Sequence, residues 1–318
     1  MVSKPIRERI QLFERLAEQH IVTQSIEDPC LAGKNISWDI LRTDLIHPIC
    51  PGNKFFKLKY YLQDAIQKNH TRIFTYGGPW SNHIVASAFA AHFCGLASTG
   101  YIRGEMPQKL SETLLQAKEE GMKLEFLPRS EFPYPGSETD PENDGYSIPQ
   151  GGYGILGAKG AGEMLNYAEK EKYTHICCAC GTGTMLAGLI STRVDAASGD
   201  PLETGSSTQF VGIAALNDAR LQENVEKLIP GEVKPDFSIH FNYHFGGYAK
   251  KTESLITFMN SFYQLHHIPT DFVYTAKLMF GIRDLVNAGF FPPGSRLLAI
   301  HSGGLQGNKS LKNGMLIY

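Results

Sequence analysis

Short apolar runs alternate with stretches whose apolar residues recur at helical spacing, along almost the whole chain. RIFTY (72–76), STGYI (98–102), KLEFL (123–127), HICCA (175–179), FVGIAAL (210–216) and RLLAIH (296–301) read as buried strands. Between them, Leu58, Leu62, Ala65 and Ile66, and then Val85, Ala88, Phe89 and His92, fall on one face of a 3.6-residue helix. Strand–helix alternation of this kind predicts an α/β protein built on largely parallel sheets. PRSEFPYPGSETDPENDGYSIPQGG (128–152), rich in Pro, Gly and acidic residues, reads as a linker or long loop where the chain crosses between domains. DAASGDPLETGSSTQ (195–209) reads as a second exposed loop. No internal repeat or low-complexity tract is evident.

Composition narrows the class. A chain of 318 residues, 42% hydrophobic, makes one large or two ordinary domains with room for a cavity between them. The formal charge of −2 gives no bias toward nucleic acid or an anionic membrane. The six cysteines lack the regular spacing of a disulfide framework and read as buried thiols. CCAC (177–180) ends an apolar run with no second ligand pair beside it, so a buried strand is favoured over a soft-metal site. MVSKPIRERIQLFERLAEQH has neither the apolar core of a signal peptide nor the acid-poor composition of a transit peptide. IVASAFAAHFCGLAS is too short to span a bilayer. The expectation is a soluble, cytoplasmic protein.

Four glycine-marked loops carry the candidate chemistry. In IHPICPGNKFFKLKYYLQDAI (46–66), Lys54 stands directly behind Pro-Gly-Asn at the start of a helical pattern. In YGGPWSNH (76–83), a strand ends, two glycines turn the chain, and Ser81, Asn82 and His83 open a helix. Taken alone this is a plain N-cap. A helix start after a parallel strand also offers free amides to an anion. CGTGTMLAGL (180–189) repeats the form, and its successive N–H groups and hydroxyls suit a phosphate monoester, although a plain βα turn has the same look. It lacks the Gly-Lys-Ser/Thr ending of a Walker loop and the spacing of a dinucleotide fingerprint. IHSGGLQG (300–307) places Ser302 at a third strand end. Strand carboxyl ends gather at one crevice in open α/β sheets, so the three loops are expected to face one site. GGYGILGAKGAGEML (151–165) reads equally as a domain joint with a helix start or as part of the ligand site. A phosphate loop, a lysine at a constrained turn and no metal cluster together suggest a Schiff base with pyridoxal phosphate.

GNKFFKLKYYL, YGG with SNH, the Gly-Thr-Gly-Thr loop, VYTAKLMFG (273–281) and HSGG occur in an order that resembles one family. That family is the 1-aminocyclopropane-1-carboxylate deaminases and D-cysteine desulfhydrases, over about residues 40–310. The resemblance implies the tryptophan-synthase-β-like fold (fold type II): two α/β domains with parallel sheets, residues 1–54 with 156–318 and residues 55–155, and the cofactor in the cleft between. Lys54 resembles the Schiff-base lysine. Asn82 matches the residue that bonds the cofactor's phenolic oxygen, and Ser81 the place where the substrate carboxylate or a polar catalytic group is held. Gly181, Thr182, Gly183 and Thr184 would cradle the phosphate, and Tyr274 matches a tyrosine near the substrate. Thr275 and Ser302 fall where the family partners the pyridine nitrogen. The resemblance also implies an amino-acid substrate and a homodimer; neither nucleic acid nor membrane is expected as a partner, and no metal.

Departures from the family pattern shape the expected activity. Thr184 and Met185 hold places usually given to Gly-Thr, and Trp80 replaces a glutamine ahead of the Ser-Asn pair. The cyclopropane deaminases carry Glu at the position of Thr275 and Leu at that of Ser302, whereas desulfhydrase-like members carry hydroxyls. A carboxylate at the ring nitrogen keeps it protonated and deepens the electron sink; a hydroxyl does not. The expected reaction is therefore β-elimination of the D-cysteine desulfhydrase type, giving a 2-keto acid, ammonia and sulfide, with Lys54, Ser81 and Tyr274 as the catalytic residues. The alternatives are cyclopropane deamination and a non-catalytic binder of a phosphorylated ligand.

Overall fold

The computed structural model describes residues 4–17, 20–134, 136–139, 145–193, 208–231 and 236–318. Ten strands are described: β1 (Thr23–Ile26), β2 (Ser37–Leu41), β3 (Arg72–Gly77), β4 (Ala97–Arg103), β5 (Lys123–Leu127), β6 (Tyr146–Ile148), β7 (His175–Cys180), β8 (Gln209–Ala214), β9 (Phe237–His240) and β10 (Arg296–Ile300). The helices are α1 (Lys4–Arg15), α2 (Gly52–Gln67), α3 (Asn82–Cys94), α4 (Glu112–Glu119), α5 (Ile155–Gly162), α6 (Thr184–Ser191), α7 (Leu221–Glu226), α8 (Glu253–His266) and α9 (Thr275–Asn287). A six-stranded sheet has the order β1-β2-β10-β7-β8-β9, and a four-stranded sheet the order β5-β4-β3-β6. Every pairing is parallel except β1 with β2.

All six strands expected from apolar runs are present, within two residues at each end. The four that escaped are short (TQSI, SWDIL, YSI and FSIH) and carry polar residues among the apolar ones. Of the second expected loop, residues 195–207 lie outside the described ones, as do residues 135 and 140–144 of the first. CCAC lies in β7, buried throughout. Ile176, Cys178 and Cys180 join one core cluster and Cys177 and Ala179 the other, as period-2 alternation in a doubly covered strand requires. The six cysteines are free and buried, and burial pushes the Cys177 thiol up. Among the described residues, no helix is long and apolar enough to cross a membrane.

The larger core cluster holds the two sheets together. It runs from Ile73 and Ile148 of the smaller sheet through Phe55, Phe56 and Leu58 of α2 to Ile176 and Leu186. We propose that the sheets are cores of two domains, 1–54 with 156–318 and 55–155, and α2 packs in the core common to both. The glycines of GGYGILGAKGAG bring α5 against its neighbours. A side-chain carbon at Gly160 would overlap the Phe56 carbonyl of α2, and one at Gly188 would overlap the Ala158 carbonyl of α5. Backbone-to-backbone contact fixes α2 and α6 relative to one another through α5, and both helices begin at the same cleft. Gly160→Ala has no flexible side chain to push aside, so it is expected to lower stability by about 2–3 kcal/mol. A urea titration with an earlier midpoint and unchanged slope would show this; an unmoved midpoint would mean that α5 can retreat.

Candidate active site

The loops after β3, β7 and β10 meet in one cleft, together with the starts of α2, α3 and α6 and the residues leading into α9. Its inner part is lined by Lys54, Lys57, Asn82, Gly181, Thr182 and Ser302, among others. The outer part, about 260 Å³, is bordered by Ser81, His83, Gly151, Tyr248 and Tyr274, with Trp80 and Arg103 toward the mouth.

Lys54 owes its position to the turn before it. Gly52 has φ 55°, and a side chain there would overlap the Ser302 carbonyl, so only glycine lets the loops of α2 and β10 touch. Asn53 N donates to that carbonyl at 3.4 Å. Lys54 Nζ donates to Asn53 Oδ1 at 3.1 Å. Burial lowers its pKa to about 8, against the pull of Asp271 and Cys50, which leaves a useful share of neutral amine. One helical turn on, Lys57 is 3% exposed, and its Nζ donates to the Gly151 carbonyl at 3.3 Å. Burial first, and the neighbouring Lys54 charge next, hold its pKa well below the usual lysine range. Sequence reading missed Lys57. Its signal was the i, i+3 spacing from Lys54, on the face that also carries buried Phe55 and Leu58.

Opposite the lysines, α6 opens at Gly183 with φ 84° and no side-chain cap. Its first amides therefore face the cleft without a partner from their own turn. Thr182 Oγ1 and Thr184 Oγ1 share a hydrogen bond of 2.8 Å; Thr184 is fully buried and supports the loop from behind. Gly181 is needed because Tyr274 packs on it, Cε1 lying 3.1 Å from where a side-chain carbon would stand.

At the third wall Ser81 caps α3, its Oγ accepting from Ile84 N at 3.4 Å. Asn82 Nδ2 donates to the Gly304 carbonyl at 3.2 Å, while its Oδ1 is buried without a partner. His83 Nε2 lies 2.8 Å from Thr75 Oγ1, whose own hydrogen goes to the Ile148 carbonyl at 2.6 Å. Nε2 must then carry the proton, and Nδ1 is left as a buried acceptor without a partner. Burial and the two lysines hold this histidine neutral, well below its ordinary pKa. Tyr248 is a further residue that the sequence reading passed over. Burial raises its pKa and, with Tyr248 as the next cause, drives that of Tyr274 well above the phenol range. Both are neutral donors at physiological pH.

One expected site residue is placed differently. Thr275 is fully buried and does not line the cleft. Its Oγ1 donates to Asp271 Oδ2 at 2.7 Å and accepts from Asp271 N at 2.8 Å, so the hydroxyl is spent inside the start of α9. The physical reason is helix capping: Asp271 also accepts from the amides of Val273, Tyr274 and Thr275. Burial raises the Asp271 pKa, and the Thr275 and backbone hydrogen bonds pull it back. Ser302, by contrast, does line the cleft.

Two lysines in the cleft, an uncapped glycine-bounded helix start and unpartnered acceptors on Asn82 and His83 fit a ligand that is anionic at one end and carries donors at the other. A phosphate ester whose other end bears an aldehyde and a phenolic hydroxyl meets that demand. The fold and the site together define a pyridoxal-phosphate-dependent enzyme, and a family model described as pyridoxal-phosphate dependent enzyme matches residues 40–303. The chain is 30% identical over 287 residues, 84% of each protein, to a putative 1-aminocyclopropane-1-carboxylate deaminase of Pyrococcus horikoshii. It is 26% identical to a bifunctional D-cysteine desulfhydrase/1-aminocyclopropane-1-carboxylate deaminase of Arabidopsis thaliana, covering 84% of this chain and 72% of that one. Among solved structures, an ACC deaminase homologue superposes with TM-score 0.72 at 25% identity, over 96% of both chains. The chain belongs to the 1-aminocyclopropane-1-carboxylate deaminase/D-cysteine desulfhydrase family, in the fold type II class. It is a lyase or deaminase with pyridoxal phosphate as cofactor, which sets aside the reading as a non-catalytic binder.

The depressed lysine makes a measurable demand. Cofactor uptake needs the neutral Lys54 amine, so its rate in cofactor-free protein is expected to climb about tenfold per unit below pH 8 and to level off above it. Stopped-flow absorbance in the visible follows this. An ordinary lysine would keep climbing toward pH 10.5, and Lys54→Ala should develop no band.

Thr275→Val removes a buried donor from a carboxylate. It is expected to cost about 1–3 kcal/mol of stability while leaving the ratio of kcat/KM between two substrates within threefold. A changed ratio would restore Thr275 to the site.

Proposed function

We propose that the enzyme eliminates a β-substituent from a small D-amino acid, D-cysteine being the best fit, with release of a 2-keto acid, ammonia and sulfide. The observation that supports this most is the wall chemistry: the hydroxyl of Ser302, and no carboxylate among the described residues, lines the cleft. Lys54 would carry the cofactor, the 181–184 amides with Lys57 would hold its phosphate, and Asn82 and Ser302 would face its ring. Bound there, pyridoxal phosphate supplies a sink for the electrons left when a bond at the amino acid's Cα breaks.

The chain's own groups do the rest. Lys54, once displaced by the amino group of the substrate, is a buried amine of depressed pKa and takes the Cα proton. Ser81 and the start of α3 present donors for the substrate carboxylate. Tyr274 and Tyr248 stay protonated and can hand a hydrogen bond or a proton to the departing thiolate. A hydroxyl beside the ring nitrogen stabilises a positive ring far less than a carboxylate does, which suits a good leaving group better than a carbon–carbon bond.

Opening of the cyclopropane ring is the second reading. It draws support from the relatives' names and from Asp271, whose Oδ2 would lie 2.9 Å from a side-chain carbon on Gly304, just behind the cleft wall. Its negative charge opposes the lowering of the Lys54 pKa. Keto-acid release from D-cysteine and from 1-aminocyclopropane-1-carboxylate, in one buffer, separates the two readings. We expect D-cysteine to lead by at least tenfold in kcat/KM, about 1.4 kcal/mol in the barrier. Equal rates, or a lead for the cyclopropane, would show that the hydroxyl wall does not set the preference.

A further inference from the structure

Among the described residues, Lys277 is the least exposed cationic side chain that neither the cofactor nor the substrate reading uses. It is 0% exposed. Its Nζ donates to three backbone carbonyls, those of Ala215, His244 and Gly247, each at 2.9 Å. It stands in the first turn of α9, where the helix dipole opposes a positive charge. Desolvating an ammonium costs several kcal/mol, and no carboxylate is among its hydrogen-bond partners. Such a placement needs a return elsewhere.

The return lies in what the three carbonyls hold. The segment after β9 is wound tightly: Phe245, Gly246, Gly247 and Ala249 have φ of 51°, 92°, 118° and 50°. For Phe245 and Ala249 that region is strained, so the turn needs an outside tie. The ammonium supplies it from within, drawing two carbonyls of the turn and one just past β8 onto a single charge. Two of the three tied residues adjoin the cleft, and so does the start of the lysine's own helix. Leu216 follows Ala215, Tyr248 follows Gly247, and Tyr274 lies three residues before Lys277; all three line the outer cavity. Carbonyl oxygens converging on one positive charge are the ligand set that K⁺ takes in place of water, and NH₄⁺ is of similar size.

We propose that Lys277 is a tethered monovalent cation: a positioning residue whose ammonium occupies a three-carbonyl cation site and so fixes Leu216, Tyr248 and Tyr274 around the substrate. The native enzyme is then indifferent to K⁺ and NH₄⁺, and cutting the side chain back opens a site for either ion. The inference rests on the cleft being the catalytic one and not on which substituent leaves.

The test uses cofactor-loaded wild type, Lys277→Ala and Lys277→Gln at constant ionic strength, with choline chloride exchanged for KCl or NH₄Cl. In choline, Lys277→Ala is expected to lose at least tenfold in kcat, and K⁺ or NH₄⁺ to restore at least tenfold of it saturably. The same ions should raise its Tm with no substrate present, a readout that stands whatever the substrate proves to be. Wild type should change less than twofold. Lys277→Gln fills the space with a neutral donor; it should lose kcat as strongly and respond to neither ion. A Lys277→Ala protein whose kcat and Tm ignore both ions would overturn the proposal. So would a Lys277→Gln protein with wild-type kcat, which decides the matter even where Lys277→Ala does not fold.

Discussion

Two lysines one helical turn apart, both turned into a cleft with no carboxylate lining it among the described residues, set the terms for the rest of this molecule. Each charge resists burial, and the charge of Lys54 adds to the burden on Lys57. The fold has two ways to relieve them. One is neutralisation, and the pKa of Lys54 at about 8 shows how far burial pushes that way. The other is an anion, and the opposite wall is built for one. The same electrostatic need thus explains a reactive amine and a phosphate cradle, with no separate argument for each.

Holding that arrangement requires backbone precision that side chains rarely give. α2 brings the lysines and α6 brings the open helix start, and α5 lies against both through glycines that admit no side chain. Gly52 does the same for the loops of α2 and β10. These contacts are rigid because no rotamer can absorb an error, so the distance between amine and cradle follows from main-chain packing. Lys277 extends the principle to the far wall, where a charge takes the place that contact between glycines has elsewhere.

Much of this was legible in the sequence, for identifiable reasons. Buried parallel strands are continuous apolar runs, so β3, β4, β5, β7, β8 and β10 announced themselves, and strand-glycine-helix junctions marked the loops that do meet. Short strands such as TQSI and FSIH have no such run and take their form from a neighbour already in place. Lys57 and Lys277 look like surface lysines in one dimension, since burial of a charge is a property of what folds over it. Thr275 was misplaced for a related reason: a family position fixes the backbone, but the hydroxyl turns to whichever partner the local chain provides. Asp271, four residues earlier, was that partner.

The three helices that start at the cleft beside the lysine-bearing α2 differ in how they close their first turns, and the difference separates structure from function. α3 is capped by Ser81, and α9 by Asp271 with four hydrogen bonds. α2 has no side-chain cap, and its Asn53 amide goes to the Ser302 carbonyl. α6 alone begins at a left-handed glycine without a side-chain cap and without such a carbonyl. An open start so near two cations would be a defect in a protein with no ligand, because its amides and their dipole add positive potential to a site already rich in it. Capping one of these starts with the buried carboxylate of Asp271 also brings a negative charge close enough to raise the Lys54 pKa against burial. Burial and that carboxylate thus act on Lys54 in opposite directions, and burial, the larger of the two, keeps the amine reactive near neutral pH.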